Sequence, residues 1–236
     1  MSNTVALIHT SPSMVPMFKA LTDELTPGID VFNMVDESLL RSIIREGKLV
    51  PAAARRLVGH VTAAADAGAT HVLVTCSSMG KAVEASRTMV GATVLRVDEP
   101  MTAKAISLGQ RIGVIATLPS TLNPTVALIQ VRAAAAGKQV TLSTQVVEGA
   151  FAAVMSGDGA KHDQLVEAAL RQMAKTSDVI VLAQASMSRV VAAMPAGAIG
   201  VPVLSSPRLA IEHLAGLLSG RIHEPAPQVS QSASCG

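Results

Sequence analysis

The sequence contains no tryptophan, no tyrosine and only three phenylalanines in 236 residues. Aromatic platforms on which nucleic-acid bases could stack are therefore almost absent. Charge is also low, since 19 basic and 17 acidic residues give a net charge of +2. The two signs are mixed along the chain, whereas binding to a phosphate backbone requires a basic patch or stripe. The composition therefore predicts no nucleic-acid partner.

The chain also lacks a membrane-length apolar run and a targeting segment. Hydrophobic residues make up 49% of the sequence and the mean hydropathy is +0.43, yet no apolar run approaches the roughly 20 residues of a membrane helix. The short apolar runs end in Thr, Ser, Gly or Pro, which is typical of buried parallel strands. The start of the chain has neither a basic segment nor a small-residue cleavage site. We therefore predict a cytoplasmic protein with no membrane partner, and the high apolar fraction favours a homodimer.

Cysteine is scarce, and the two cysteines lie in different surroundings. Cys235 belongs to the segment 223–236, whose Pro, Gln and Ser content predicts a disordered tail. Cys76 follows a short apolar run, so we expect no structural disulfide between the two. No group of Cys and His has the spacing of a metal site, and we expect no metal. Cys76 is therefore predicted to be a lone, reduced thiol.

What the sequence does contain is an internal duplication. Two pairs of segments align at a nearly constant offset, residues 71–83 with 179–191 and residues 6–13 with 113–120. A repeat of this length is far longer than a solenoid unit and indicates two lobes of similar build. In this alignment Ser78 corresponds to Ser186, whereas Cys76 corresponds to Gln184. One half therefore has a thiol where the other half has an amide.

Apolar strands alternating with amphipathic helices are predicted in both halves. The predicted strands are Val5–His9, Val31–Met34, His71–Val74, Thr93–Val97, Arg111–Ala116, Val140–Val147, Asp178–Leu182 and Val201–Leu204. The predicted helices are Met14–Leu25, Asp36–Glu46, Val50–Gly68, Met79–Arg87, Pro124–Ala136, Ala160–Lys175, Met187–Ala193 and Arg208–Ser219. This order predicts an α/β fold of two pseudo-symmetric lobes, each a parallel sheet flanked by helices, with an active site in the cleft between them. We assign residues 1–97 and 208–222 to the first lobe and residues 98–207 to the second.

Four loops at the predicted strand ends carry small polar side chains. Ligands of open parallel sheets bind beyond the carboxyl ends of the strands, where hydroxyls and helix N-termini suit a carboxylate. The candidate binding residues are Thr10, Ser11, Ser77, Ser78, Thr117, Ser120, Thr121, Gln184 and Ser186, with His9 as a further candidate. Serine and threonine are equally typical of helix N-caps, so each of these residues taken alone has two interpretations.

Cys76 is the candidate catalytic residue, because it lies between a predicted strand and a predicted helix. We expect the start of that helix to stabilise the thiolate and so to lower the pKa of Cys76. The alternative interpretation is an inert cysteine that packs as a small hydrophobic side chain.

The chain resembles the aspartate/glutamate racemase superfamily, which includes hydantoin racemase, maleate isomerase and arylmalonate decarboxylase. The duplicated halves and the two matching strand ends, TCSS at residues 75–78 and LAQASM at residues 182–187, carry the resemblance over about residues 4–215. It implies an enzyme without a cofactor, in which two cysteines flank a carbon next to a carboxylate. The first of these cysteines maps onto Cys76. The second maps onto Gln184, where this sequence departs from the pattern.

The departure limits the chemistry, because an amide cannot give or take a proton near neutral pH. By resemblance, arylmalonate decarboxylase protonates an enediolate with one cysteine, while maleate isomerase uses its first-lobe cysteine as a nucleophile. We expect a racemase-type enzyme, a racemase or isomerase, that acts on a small carboxylate through a single cysteine. The alternatives are a decarboxylase, a cis–trans isomerase with a cysteine nucleophile, and a non-catalytic two-lobed carboxylate binder. Fast alkylation of Cys76 is expected for an enzyme, and alkylation at the rate of a free thiol for the binder.

Overall fold

The computed structural model describes residues 3–222, which contain two parallel four-stranded sheets. The first half forms β1 (Thr4–His9), α1 (Met14–Leu25), β2 (Asp30–Val35), α2 (Glu37–Glu46), α3 (Pro51–Asp66), β3 (His71–Val74), α4 (Gly80–Ser86) and β4 (Thr93–Arg96). The second half forms α5 (Glu99–Leu108), β5 (Arg111–Ala116), α6 (Pro119–Ala135), β6 (Thr141–Val146), α7 (Ala150–Met155), α8 (Gly159–Met173), β7 (Val179–Leu182), α9 (Ser188–Ala192), β8 (Val203–Ser205) and α10 (Ser206–Leu218). The predicted tail 223–236, with Cys235, lies outside the described residues.

The two sheets have the same strand order. The first sheet runs β2-β1-β3-β4 and the second runs β6-β5-β7-β8, and every neighbouring pair is parallel. The carboxyl ends of the central strands β1 and β3 therefore meet at one sheet edge, as do those of β5 and β7. This arrangement confirms the prediction of two similar α/β lobes.

Both faces of each sheet are covered by helices. In the first sheet, side chains alternate between a core shared with α2, α3 and α4 and a core shared with α1 and α10. In the second sheet, α5 and α6 cover one face while α7, α8 and α9 cover the other. The last helix thus packs on the first sheet although it follows the last strand of the second. The division of the chain into lobes at residues 97 and 208 stays a prediction.

A buried carboxylate connects helices of the two halves. Glu99 opens α5, and its two oxygens accept hydrogen bonds from Arg87 at 2.7 Å and from Arg132 of α6 at 2.6 Å. Burial by itself would raise the pKa of Glu99, but the hydrogen bonds and positive charges of the two arginines outweigh it and lower that pKa. Glu99 therefore stays ionised and ties the end of α4 to α6.

Three features of the helices differ from the sequence prediction. Neither α5 nor α7 was predicted, and α6 begins at Pro119 rather than at Pro124. Proline usually disrupts a helix because it has no N–H and its ring crowds the preceding turn. Here Pro124 lies inside α6. The carbonyl of Ser120, four residues earlier, is therefore left without its usual helical donor.

No helix within residues 3–222 is long and apolar enough to cross a membrane. The cytoplasmic location and the homodimer stay predictions.

Candidate functional site

Cys76 and Gln184 occupy equivalent places in the two sheets. Each lies two residues beyond the end of a central strand, β3 or β7. Their backbones are alike, with φ −125° and ψ 114° at Cys76 and φ −131° and ψ 131° at Gln184. Each residue is followed by a single 3-10 turn and then a short helix. The structure therefore places the thiol and the amide as the sequence alignment pairs them.

The threonines that follow β1 and β5 make equivalent contacts with these two residues. The side chain of Thr10 is hydrogen-bonded to the Cys76 thiol. The hydroxyl of Thr117 donates to Oε1 of Gln184 at 2.9 Å, and the backbone N–H of Thr117 donates to the same oxygen. Both threonines are buried. Four of the predicted site residues thus form two matching pairs, one in each lobe.

The amide of Gln184 has a defined orientation. Because two donors from Thr117 converge on one atom, that atom must be the carbonyl oxygen Oε1. The amide –NH2 has no acceptor among the described residues, and Gln184 is only half-buried. Its N–H groups therefore remain free to donate to an anion, although an amide cannot release a proton to a substrate near neutral pH.

Two serines after Cys76 bring the lobes into contact. The hydroxyl of Ser78 donates to the carbonyl of Ser120 at 2.9 Å, which is the carbonyl that Pro124 leaves without a helical donor. The hydroxyl of Ser77 donates to the carbonyl of Ala183 at 3.3 Å, next to Gln184. The strand-end loops of the two sheets therefore meet directly beside Cys76.

The remaining predicted hydroxyls differ in what they contact. Thr121 donates to Leu118 within its own helix at 2.9 Å, and Ser11 is bonded to exposed Ser13 at 2.8 Å. Neither is hydrogen-bonded to Cys76 or Gln184, so the structure does not bring them into the matching pairs. The hydroxyls of Ser120 and Ser186 have no acceptor in residues 3–222, and both residues are half-buried. These two hydroxyls are available to a ligand.

The sequence predicted a lowered pKa for Cys76, and this prediction is wrong. Burial raises the pKa of the Cys76 thiol above its ordinary value, and the hydrogen bonds from Thr10 and Ser78 oppose this rise without cancelling it. The hydroxyl proton of Ser78 is already used on Ser120, so the backbone N–H of Ser78 is the donor left for the thiolate. Because burial outweighs these hydrogen bonds, Cys76 is held as a protonated thiol.

Asp98 is a residue that the sequence reasoning left without a role at this site. Val74 pairs with Arg96 in the parallel register of β3 and β4, so continuing that register two residues places Asp98 beside Cys76. Asp98 is buried and accepts two hydrogen bonds from Arg96, at 3.0 and 2.9 Å. Its negative charge contributes to the raised pKa of the Cys76 thiol. The sequence could have indicated the position of Asp98, because β3 and β4 end at the same sheet edge.

His9 supports the strand ends instead of contacting the thiol. Its Nδ1 lies 2.9 Å from the hydroxyl of Thr75, and its Nε2 lies 2.9 Å from the side-chain oxygen of Asn33. Burial lowers the pKa of His9 below its ordinary value, although the bond with Asn33 opposes this. The ring also packs against Phe18 at a centroid distance of 5.5 Å. With both nitrogens bonded to neighbouring side chains, His9 has a structural role in this arrangement.

No group of three or more His, Cys, Asp or Glu side chains in the described part of the chain is placed to hold a metal ion.

The raised pKa also removes the expectation that fast alkylation marks an enzyme, and we predict that Cys76 alkylates more slowly than a free thiol at pH 7, because only the thiolate is nucleophilic and burial disfavours it. The rate should rise as the pH approaches the raised pKa of the thiol. Iodoacetamide labelling of a Cys235→Ser variant, followed by mass spectrometry, measures this directly. The same variant unfolded in guanidinium chloride is the control and should react at the free-thiol rate. Faster labelling of the folded protein would contradict the raised pKa.

Comparison with known proteins gives a consistent result. The family model described as Asp/Glu/Hydantoin racemase matches residues 6–214. Allantoin racemase from Klebsiella pneumoniae superposes with a TM-score of 0.68 at 17% identity, over 94% of this chain and 89% of that one. Glutamate racemase from Francisella tularensis in complex with D-glutamate superposes with a TM-score of 0.71 at 12% identity, over 93% and 82%. Aspartate racemase from Picrophilus torridus gives 0.68 at 12% identity, over 91% and 95%.

At these identities the superpositions establish a shared fold. In the comparison with curated proteins, no sequence matches this chain.

Proposed function

Because this chain belongs to the Asp/Glu/hydantoin racemase family, we propose that it is a racemase-type enzyme that acts without a cofactor at the carbon next to the carboxylate of a small acid. Cys76 is its single catalytic thiol. The observation that carries the proposal is the position of this thiol. The thiol lies at the carboxyl end of a central strand and is hydrogen-bonded to Thr10 and Ser78. Ser78 in turn is hydrogen-bonded to Ser120 of the other lobe.

The substrate carboxylate is bound by the donors that the protein leaves free. These are the hydroxyls of Ser120 and Ser186 and the amide –NH2 of Gln184. When the carbon next to the carboxylate carries a negative charge, that charge spreads onto the carboxylate oxygens as an enediolate. Donors fixed by the fold stabilise such a charge without the reorganisation that water would need. We assign these three residues to that role.

Cys76 supplies the proton. For proton exchange, Cys76 first loses its proton to solvent, and the thiolate then removes the proton from the carbon next to the carboxylate, which leaves an enediolate. The S–H bond formed in that step breaks again as a C–H bond re-forms on the same face of the carbon. Gln184 cannot make this exchange on its side. Proton transfer therefore takes place from one face, and fast racemisation would need a second carrier.

The raised pKa of Cys76 favours decarboxylation as a second candidate reaction. Loss of CO2 from a malonate-type acid breaks a C–C bond and leaves both electrons on the carbon as an enediolate. That intermediate needs a proton donor, and a thiol that burial keeps protonated supplies one. A cis–trans isomerase with a cysteine nucleophile needs the thiolate, as proton removal in a racemase does, and the same burial disfavours it. The alternative of a non-catalytic carboxylate binder would use the same donors without turnover.

We expect a screen of small carboxylic acids in D2O to show deuterium at the carbon next to the carboxylate, or loss of CO2, with at least one compound. Aspartate and glutamate belong in the panel because similar structures are racemases of these compounds, and substituted malonates test the second candidate. Allantoin, which has no carboxylate, is added because a further similar structure is an allantoin racemase, and its exchange is read at the ring carbon next to a carbonyl. NMR follows both reactions in one sample, and the Cys76→Ala variant is the control. Binding of a compound with neither reaction would support the binder and contradict the proposal.

A further inference from the structure

A cavity of about 510 Å³ lies where the two lobes meet, on the side of Ser78 that faces Ser120. Its walls come from the loop that precedes α3, from the first turns of α4 and from α6. This volume falls within the range of about 300 to 1,000 Å³ that is usual for small-molecule sites. Cys76, Gln184 and Ser186 do not line the cavity, and Ser120 is the one proposed carboxylate donor that does, so the cavity adjoins the proposed reaction site without containing its thiol.

The cavity has a positively charged rim. Lys48 and Lys81 both line it and are both exposed. Among the described residues, neither lysine is paired with a carboxylate, and the acidic side chain of the lining, Glu84, is already paired with Arg96. Arg96 in turn is held by buried Asp98. The charge of neither lysine is therefore held in an ion pair with a described residue.

Five apolar residues also line the cavity, four of them from α6. They are Leu49, Pro124, Ala127, Leu128 and Val131. Leu128 is 7% exposed, whereas Val131 at the opening is 67% exposed. Burying such apolar surface under a ligand is favourable in proportion to the area covered. The combination of a cationic rim and an apolar wall fits a ligand with a negative head and an apolar body.

We propose that this cavity binds a small amphipathic monoanion and that the bound anion regulates Cys76 through Ser78. The effect on turnover rests on the proposed function, whereas the binding does not. Ser78 and Ser120 both line the cavity and are hydrogen-bonded to each other across the lobes at 2.9 Å. Ser78 also contacts the Cys76 thiol. A ligand packed against both lobes holds Ser78 against Ser120 and keeps the lobes together beside the half-buried Cys76, which slows the access of reagents to the thiol.

Hexane-1-sulfonate is the probe, since it has one permanent negative charge and a short apolar chain. We expect it to bind the wild-type protein in isothermal titration calorimetry and, at saturation, to slow iodoacetamide labelling of Cys76 at least about threefold. Reversing the rim charge in the double variant K48E/K81E should weaken binding by about tenfold or more, since two charge interactions change sign. Lys161→Glu, an exposed lysine in the first turn of α8, is the matched control and should bind like the wild type.

Two further measurements distinguish binding in the cavity from binding at the reaction site. Hexan-1-ol, which has the same chain without the charge, should bind much more weakly than the sulfonate. Ser186→Ala removes a proposed carboxylate donor and should leave sulfonate binding unchanged. Binding that survives K48E/K81E, or that is lost in Ser186→Ala, would overturn the proposal by placing the anion elsewhere. Neither calorimetry nor iodoacetamide labelling needs substrate. Failure of the cavity proposal is therefore distinguishable from failure of the proposed reaction.

Discussion

Replacing Cys76 with alanine is expected to reduce turnover by about 10²–10⁴-fold, the usual contribution of a positioned acid or base. Among the described residues Cys76 is the only cysteine, and its equivalent in the second lobe is Gln184. No second thiol within residues 3–222 can therefore replace it. The cost in stability should be small, about 1 kcal/mol, because one sulfur atom at a half-buried position is lost. Turnover of the best substrate and thermal unfolding of the two proteins test both parts.

Cys76→Ser separates the size of the side chain from its acidity. A serine hydroxyl can keep the contacts with Thr10 and Ser78, so substrate binding should persist. Its proton is released far less readily than that of a thiol near neutral pH, so turnover should stay close to that of Cys76→Ala. Near-wild-type turnover in Cys76→Ala would remove the central role of the thiol.

Gln184→Cys is expected to add proton exchange on the second face of the substrate carbon. The new thiol would stand where Cys76 stands in the other lobe, with nearly the same backbone conformation. It would also meet Thr117 in the way that Cys76 meets Thr10. We expect racemisation to rise at least about tenfold above the wild type, although a thiol placed without further adjustment will fall short of an evolved pair.

The matched control adds a thiol away from the site. Ser107→Cys introduces one on the exposed surface of α5 and should leave the rate of racemisation unchanged. Equal racemisation by Gln184→Cys and the wild type would mean that residues 76 and 184 do not face the same substrate carbon. Both outcomes can be followed by chiral chromatography of the product over time.

Much of the fold was predictable because the two halves repeat one pattern. The short apolar runs at residues 71–74 and 179–182 predicted the central strands, which the structure confirms as β3 and β7. The helices that were missed had weaker signals. Helix α5 is short and begins with a proline in its first turn, which is itself typical of a helix start. In α6, Pro124 was interpreted as the start of the helix, whereas packing of both flanking turns keeps it in the interior.

The candidate site was predictable in its positions and not in its electrostatics. The alignment of Cys76 with Gln184 follows from local sequence, and the structure reproduces it. The pKa of Cys76 depends on how closely other segments pack around it, including Ser78 where it meets Ser120 of the second lobe. Such packing has no local signature, so the start of a helix suggested a lowered pKa. Asp98 likewise contributes only because the β3–β4 register brings it alongside Cys76.

The most direct test of one-face chemistry is the enantiomeric composition of the product that the wild-type protein forms in D2O. The thiol of Cys76 exchanges its proton with solvent, so it delivers deuterium from its own side, while the amide of Gln184 delivers none. We predict product labelled at the carbon next to the carboxylate with one configuration in large excess during the first turnovers. Deuterium in both configurations at equal early rates would contradict the account, since it would require a second proton carrier opposite Cys76.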